Sequence, residues 1–347
     1  MDISLFYFAD DAASADGGRY DLLLDGARLA DDAGLHAVWT PERHFHPFGG
    51  LYANSAVTGA AVAAVTRRVG VRAGSVVLPL HDPIRVAEEW SMVDNLSNGR
   101  AAVAFASGWH AQDFVLHPDP QAGYQGRKTT LTDNIDVVRR LWRGETVTRT
   151  DGGGDKASVR IFPPPVQPEL PFWVTSSGRP ETFRTAGELG GNLLTHLLGQ
   201  RLEVLRRNIG IYRETLAAHH GPAKRGRVTL MLHTLLGQSD HEVLDLVRAP
   251  FSNYLASSLD LTSRSGPTTE GIDELTEEDQ QALLRRAFDR YSREAGLFGS
   301  LDTARRLIAT LADAGVDEVA CLIDFGVDRA SVLKGLDRVA DLARELN

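Results

Sequence analysis

Cysteine is almost absent from this sequence of 347 residues, in which Cys321 is the single example. One cysteine excludes an intrachain disulfide and any zinc site built from several thiolates. Cys321 stands within the apolar run 319–323, which favours a buried core thiol over a nucleophile. These features indicate a reducing compartment, so we expect a cytoplasmic protein.

Long apolar runs and basic runs are lacking as well. No stretch approaches the ~18 uninterrupted apolar residues that a membrane-spanning helix needs. Residues 1–8 carry no basic region and are typical of a first strand, not of a signal peptide. The net charge is −9, and lysine and arginine form no stripe. We therefore expect neither a membrane nor a nucleic acid as partner.

Several short signatures of cofactor binding and catalysis are also absent. The sequence has no GxGxxG fingerprint, no Walker loop and no GxSxG elbow. What it does have is the composition of a folded globular protein, with 43% hydrophobic and 24% charged residues. Its length suits one large domain or two ordinary ones.

Short apolar runs alternate with amphipathic helical stretches along the whole chain. Eight such β-then-α units favour a parallel (β/α)8 TIM barrel, in a single domain over residues 1–347. The rival is an open doubly wound sheet, which usually has fewer strands and a glycine fingerprint at its first turn. The predicted strands are 4–8, 37–39, 69–78, 101–106, 172–175, 192–195, 227–236 and 318–324. The predicted helices include 20–33, followed by Gly34 as a C-cap signal, 83–96, which begins at Pro83, and 131–142.

Two segments exceed a minimal barrel. Residues 143–166 contain Gly152-Gly153-Gly154 and three consecutive prolines, which indicate a hairpin-like insertion before strand five. Residues 259–299 are polar with a helical centre, and we interpret them as an insertion between strands seven and eight that acts as a lid or partner surface.

In a parallel barrel the active site lies at the carboxyl ends of the strands, so the loops that follow them matter most. The loop after strand two contains Glu42, His44 and His46 among aromatic residues. Such histidines can act as acid, base or hydrogen-bond donor near neutral pH. The alternatives are a polar loop packed by aromatics, or a zinc site, which the spacing of the two histidines supports less well.

The next two strands end on small residues. Gly74-Ser75 within strand three indicates a bulge or a close approach of the backbone to a ligand, and ordinary strand irregularity is the alternative. Strand four is followed by Ser107-Gly108-Trp109-His110, which offers ligand access, a flat face and a donor, unless it only closes the rim.

Strand five is followed by Ser176-Ser177-Gly178 and then by a helix with Pro180 in its first turn. Backbone N–H groups and the helix dipole favour a phosphate at such a position. Simple capping of the helix by a hydroxyl side chain is the alternative.

Taken together, these rim residues resemble the bacterial-luciferase-like flavin-dependent monooxygenases, and most closely the group found in natural-product biosynthesis. The likeness extends from strand one to strand six and fades in the last third. The matching stretches are 39–45, 71–83 with Arg85, 94–100, 106–113 and 173–178.

The resemblance implies reduced FMN supplied by a separate flavin reductase, O2 as co-substrate, and a biosynthetic small molecule, free or tethered to a carrier protein. It also implies a homodimer. Gly74-Ser75 would form a cis peptide beneath the flavin ring. Ser176, Ser177 and Gly178 would hold the phosphate, with Arg127 as charged partner.

The resemblance further implies that Glu42, His44 and His110 are catalytic, with His44 in proton handling or peroxyflavin stabilisation. It implies that Ser107, Gly108 and Trp109 bind the flavin, with Trp109 and His110 on the flavin or the substrate face. Luciferases carry arginine where this chain has Ser107, which removes one phosphate charge. Two alternatives stay open. One is a deazaflavin (F420)-dependent hydride-transfer oxidoreductase, and the other is a non-catalytic flavin-binding subunit.

Overall fold

The computed structural model of the chain describes residues 1–9, 18–263 and 277–346. In chain order its elements are β1 (Asp2–Phe6), α1 (Asp21–Ala33), β2 (Ala37–Thr40), α2 (Ser55–Val65), β3 (Gly70–Val77), α3 (Pro83–Ser97), β4 (Ala101–Ala106), α4 (Pro120–Trp142), β5 (Val147–Thr150), β6 (Lys156–Val159), β7 (Phe172–Ser176), α5 (Pro180–Leu189), β8 (Asn192–His196), α6 (Leu202–His220), β9 (Val228–Leu236), α7 (Asp240–Ser263), α8 (Glu277–Glu294), β10 (Leu297–Gly299), α9 (Leu301–Asp313), β11 (Glu318–Leu322) and α10 (Arg329–Leu346).

Eight parallel strands close into a barrel in the order β1-β2-β3-β4-β7-β8-β9-β11, and β11 pairs with β1. The predicted TIM barrel is confirmed. Helices cover the outside and side chains fill the inside, so the strands are apolar on both faces. In β4, for example, the run AAVAFA is buried along almost its whole length.

A cluster of charged and polar side chains, the Arg72–Glu318 cluster, fills the barrel near the amino ends of its strands. The Arg72 guanidinium donates to both carboxylate oxygens of Glu318, at 3.0 and 2.9 Å. Glu318 also accepts hydrogen bonds from Ser4, Trp39 and Thr229, so four other strands meet at one carboxylate. The opposite, carboxyl end of the barrel is left for the loops.

The region of the first expected insertion contains an antiparallel hairpin, β5–β6, which lies outside the barrel wall. Its turn runs from Asp151 to Asp155 and contains Gly154 at φ +91°. The hairpin leads back to the barrel through residues 160–171.

The second expected insertion, 259–299, falls partly on residues 264–276, which lie outside the described residues. The last part of this segment differs from the expectation of a polar insertion. Leu297 and Phe298 are buried in β10, which pairs in parallel with β9, and α8 buries Phe288 and Tyr291. These four apolar side chains therefore face the protein.

Two helices differ from the sequence prediction. We expected the fourth helix to begin at residue 131, but α4 begins at Pro120, with the Asp119 side chain accepting the N–H of Ala122. Helix α9, capped by Ser300, was not predicted at all. Among the helices in the described part of the chain, none is both long and apolar enough to cross a bilayer.

Candidate active site

The loops that follow β2, β3, β4 and β7 meet at the carboxyl end of the barrel. The Glu42 carboxylate accepts the N–H of Val77 at 2.9 Å, which ties the β2 loop to the end of β3. Arg43 pairs with Asp113 of the β4 loop. The hydroxyls of Ser75 and Thr175 lie 2.5 Å apart. Because β4 stands between β3 and β7 in the wall, this last bond crosses the barrel interior.

Glu42 is the centre of a buried cluster with two histidines. One carboxylate oxygen lies 2.7 Å from Nε2 of His44 and 2.6 Å from Nε2 of His81. Burial alone would raise the pKa of Glu42, but the hydrogen bonds from the two imidazoles and from Val77 outweigh it and lower that pKa to about 2. Glu42 is therefore ionised at neutral pH, and each histidine presents an Nε2–H to it.

His81 was missed in the sequence, although it stands between β3 and α3, where rim residues are expected. Burial lowers its pKa, but the hydrogen bond to Glu42 and the charge of Glu42 outweigh this and raise the pKa above its ordinary value. The donor atoms of Glu42, His44 and His81 lie within 4.8 Å of one another, a spacing that also suits a metal ion. In this structure those atoms are engaged with one another by hydrogen bonds.

The peptide bond between Gly74 and Ser75 is cis, as the family resemblance implies, and the pairing of β3 with β4 shifts register there. A Cβ at position 74 would lie 2.6 Å from a ring carbon of Phe6 and 3.3 Å from Trp39. Only glycine fits that approach. The bulge turns Ser75 towards Thr175 inside the barrel.

The β4 loop carries a second buried charged group. Asp113 accepts from Arg43 and lies 3.2 Å from Nδ1 of His110, and all three side chains are buried. Burial and the nearby Arg43 lower the pKa of His110. The indole of Trp109 is half exposed, and its ring centre lies 5.7 Å from the guanidinium carbon of Arg43. Sequence reasoning named His110 and Trp109 but gave no role to Arg43 or Asp113.

Arg127, on α4, contacts Gly108 of the β4 loop. Gly108 has φ +78°, and a Cβ there would lie 2.8 Å from Val77. Nε of Arg127 donates to the Gly108 carbonyl at 3.1 Å, and the Arg127 guanidinium stacks on Tyr124. These contacts join Arg127 to the β4 loop. Ser107 is half-buried beside them.

Ser176, Ser177 and Gly178 connect β7 to the first turn of α5. Gly178 has φ +106°, and its carbonyl accepts from Asn208 at 2.9 Å. Ser176 is buried and Ser177 is exposed. The N-cap residue of α5, Arg179, makes no side-chain hydrogen bond to the first turn. Pro180 has no N–H, and the N–H groups of Thr182 and Phe183 donate to the Arg179 carbonyl, so the amide of Glu181 is the group that the first turn of α5 offers to an anion.

The ends of β8 and β9 also contribute buried polar groups. Among the described residues, Nδ1 of His196, Oε1 of Gln200 and Nε2 of His233 have no hydrogen-bond partner. His233 packs between the rings of Phe251 and Tyr254 at 4.8 and 4.6 Å, and burial lowers its pKa to about 3. The sequence signal for His233 is a histidine within a strand whose neighbouring residues are mostly apolar.

Asp324, just after β11, is a further buried carboxyl group at this end of the barrel. It accepts the N–H of Phe8 at 2.7 Å and the hydroxyl of Tyr52 at 3.0 Å. Burial raises its pKa to about 7, although both hydrogen bonds act in the opposite direction. In the sequence, Asp324 is the last residue of a predicted strand.

Residues 1–318 match the model of the luciferase-like monooxygenase family. The chain belongs to that family. A curated relative, the oxygenase component of a flavin-dependent trigonelline monooxygenase from Acinetobacter baylyi, is 26% identical over 224 residues, which is 64% of this chain. The match spans 61% of the length of that relative.

Solved structures show the same fold at low sequence identity. The monooxygenase RslO1 from Streptomyces bottropensis has a TM-score of 0.80 and 20% identity, over 98% of both chains. The oxygenating constituent of 3,6-diketocamphane monooxygenase from Pseudomonas putida, solved with FMN, has a TM-score of 0.78 and 18% identity, over 99% of this chain and 97% of the other. An F420-dependent secondary alcohol dehydrogenase has a TM-score of 0.68 and 15% identity, over 95% and 97%.

The family assignment places the chain among the luciferase-like monooxygenases, and its fold is shared with an F420-dependent enzyme. The roles of the individual rim residues are not assigned by these likenesses.

Proposed function

We propose that this protein is the oxygenase of a two-component system, which uses reduced FMN and O2 to oxygenate a small biosynthetic molecule. The observation that carries the proposal is the bulge at Gly74-Ser75, which lies at the same barrel mouth as the Glu42–His44–His81 cluster. A family of flavin-dependent monooxygenases supplies the context.

The residues at the mouth fit a flavin. Glycine at position 74 lets the backbone of the bulge pack directly against the rings of Phe6 and Trp39, and Ser75 is held by Thr175. Ser176, Ser177, Gly178 and the first turn of α5 would hold the phosphate through hydroxyl and amide donors. Gly108 and Trp109 would line the ring, with Arg127 as the neighbouring cation. Bound here, the flavin would supply the activation of O2.

His44 is the group that we assign to proton transfer. Because Glu42 is ionised and accepts from Nε2, the hydrogen bond orients the imidazole and leaves Nδ1 of His44 as the atom that exchanges a proton. His110 is held in the same way by Asp113. Both carboxylates act by orienting an imidazole.

Three finer points belong to the proposal and rest on the resemblance. A separate reductase would deliver the flavin, and the substrate would be free or carrier-bound. The chain would form a homodimer, which is supported by the exposed apolar side chains Val57 on α2 and Met92 and Leu96 on α3.

Helices α7 and α8, which cover His233, would exclude water from the mouth.

The test is an anaerobic titration of the protein with reduced FMN and with reduced F420, followed by mixing with O2. We expect tight binding of reduced FMN and an O2-dependent change in flavin absorbance that free flavin does not show. Preferential binding of F420 without any O2 reaction would support hydride transfer on the same fold, which the F420-dependent neighbour makes the second candidate.

The His44→Ala variant separates an enzyme from a flavin-binding subunit. We expect it to bind reduced FMN as wild type does but to lose product formation, while His241→Ala, at an exposed position on α7, changes neither. Unchanged turnover in His44→Ala would refute the role of His44.

A further inference from the structure

Arg43 presents two different edges of its guanidinium group at the barrel mouth. Nη1 is paired with Asp113. Nε and Nη2, which together form the opposite edge, are buried and have no hydrogen-bond partner among the described residues. The side chain is only 3% exposed. A buried donor without a partner is uncommon in a folded protein, because it has lost water without replacement.

The two unpartnered donors form a recognisable fork. Nε–H and Nη2–H lie parallel in the plane of the guanidinium and match the two oxygens of a planar carboxylate. An arginine that served only to hold the β4 loop would need Nη1 alone. Arginine at this position is therefore equipped for a second, planar, anionic ligand.

The surroundings of Arg43 limit the charge of that ligand. Asp113 already compensates the charge of the guanidinium. Burial and the charge of Arg43 lower the pKa of His110, which lies on the other side of Asp113. A singly charged carboxylate suits this balance better than a doubly charged phosphate. The indole of Trp109 lies against the same guanidinium and offers a flat apolar face beside it.

The position of Arg43 connects the fork to the chemistry. It stands between Glu42 and His44 in the β2 loop, and its side chain reaches across to the loop that follows β4. A molecule held by this edge therefore lies at the same mouth as the proposed proton-transfer group.

We propose that the Nε/Nη2 edge of Arg43 binds a carboxylate group of the substrate, and that Trp109 contacts its adjoining apolar part. The substrate class is thus a carboxylic acid with a flat or unsaturated body. This inference rests on the proposed function for the identity of the ligand as substrate, but its test needs no flavin.

The probe is benzoate, with benzamide as its uncharged analogue and phenyl phosphate as the dianionic one. Binding to the full chain is followed by tryptophan fluorescence and by the ¹⁵Nε–H resonance of Arg43 in protein with labelled arginine. We expect benzoate to shift both signals, and benzamide and phenyl phosphate to bind at least about tenfold more weakly.

Substitutions at Arg43 test the fork itself. Arg43→Lys keeps the charge but loses the paired donors, and Arg43→Gln loses both, so each should weaken benzoate binding by about tenfold or more. Arg85→Gln, at an exposed arginine on α3, is the matched control and should change nothing. Circular dichroism and thermal melting show whether each variant is folded.

Asp113→Asn should change benzoate binding in the direction opposite to the Arg43 variants. A merely structural role of Arg43 would not produce that result. The substitution removes the compensating charge, so benzoate should bind several-fold more tightly, even if both Arg43 variants fail to fold. Equal binding of benzoate and benzamide, preference for phenyl phosphate, or unchanged benzoate binding in folded Arg43→Gln would each overturn the proposal.

The two proposals fail separately. If Arg43→Gln weakens reduced FMN binding but leaves benzoate binding intact, the edge serves the flavin and this inference is wrong. If the wild type binds benzoate through Arg43 but binds no flavin, the carboxylate site stands and the proposed function is wrong.

Discussion

Glu42 shows how one carboxylate can set the properties of its neighbours. We expect Glu42→Gln to lower the pKa of His81, because burial of that imidazole remains while the hydrogen bond and charge that raise its pKa are lost. Measuring the imidazole shifts of His81 against pH by NMR checks this. Glu88→Gln, an exposed change on α3, is the control. An unchanged pKa of His81 would contradict the hydrogen-bonded cluster.

The same substitution should affect catalysis. Without an ionised partner, His44 loses the tautomer and orientation that leave Nδ1 free, so oxygenation should fall by about a hundredfold or more, the usual worth of acid–base catalysis. Binding of reduced FMN should change little. A parallel loss of flavin binding would show that Glu42 supports the cofactor and not the proton.

Asp324 makes stability depend on pH. Its pKa is raised from 3.8 to about 7, so the native state favours the protonated form. Below about pH 4, Asp324 is protonated in the folded and the unfolded state and does not reduce the free energy of unfolding. As the pH rises to about 7, ionisation of Asp324 in the unfolded state lowers that free energy by up to about 4 kcal/mol. Asp324→Asn, which cannot ionise, should exceed the wild type in unfolding free energy at pH 8 but not at pH 4.

Urea unfolding at the two pH values measures this difference. Asp313→Asn, at an exposed position near the end of α9, should shift the unfolding free energy equally at both. A difference between Asp324→Asn and wild type that is the same at pH 4 and pH 8 would refute the raised pKa.

At the residue scale, the sequence predicted groups that follow strands but not their partners. Glu42, His44 and His110 stand in loops where the barrel rule expects chemistry. His81, Asp113 and Asp324 matter because of which loops they touch, and that depends on strand register, which spacing alone does not reveal. Arg43 was passed over because its unpartnered edge is visible only in three dimensions.

At the element scale, helices α7 and α8 are held to the barrel by one aromatic group. Phe251 is fully buried and packs on His233, Tyr291 and Phe298, with ring centres 4.8 to 6.4 Å apart across this group. Phe251→Ala should cost about 3–5 kcal/mol and loosen both helices. Hydrogen exchange should show lost protection in residues 240–258 and 285–294, with β1–β4 unaffected.

The exposed Phe162 supplies the control for that change, since Phe162→Ala removes an equal volume outside the core. A uniform loss of protection across the barrel in Phe251→Ala would contradict a local role.

Element boundaries followed the sequence where end signals were clear. Helix α3 begins at Pro83 and α1 ends at Gly34 in the left-handed conformation, as predicted. The first eleven residues of α4 were missed because Gly123 and Gly126 depress helix propensity there, and tertiary packing overrides that preference. Helix α9 was missed because the polar segment before it obscured the start of a new β/α unit.

At the scale of the whole molecule, the count of β/α units predicted the barrel, but nothing in the sequence predicted the Arg72–Glu318 cluster that joins its strands. A single polar residue in an apolar strand has no partner that the sequence identifies, because its partner lies on another strand of the closed barrel. Arg72 lies between the rings of Trp39 and Trp173, at 4.9 and 4.6 Å, while Glu318 is fully buried.

Breaking this pair should therefore destabilise the barrel as one cooperative unit. Glu318→Gln leaves the buried guanidinium of Arg72 without its counter-charge, at a cost of about 3–5 kcal/mol. Burial raises the pKa of Glu318, but Arg72 and its neighbours outweigh that and lower it, so the stabilisation is present above about pH 4.5 and is lost as the pH falls below it. The difference in unfolding free energy between the wild type and Glu318→Gln should therefore become smaller below about pH 4.5.

Urea unfolding tests the cooperative role, because the midpoint should fall while the dependence on denaturant stays constant. Glu345→Gln, which breaks an exposed pair with Arg305, should leave the midpoint almost unchanged. The double variant Arg72→Met with Glu318→Leu should recover part of the loss, since apolar side chains can replace a buried ion pair that fills the same volume. If the double variant is less stable than Glu318→Gln alone, the pair holds the strands by directed hydrogen bonds to Ser4, Trp39 and Thr229 and not by filling the barrel.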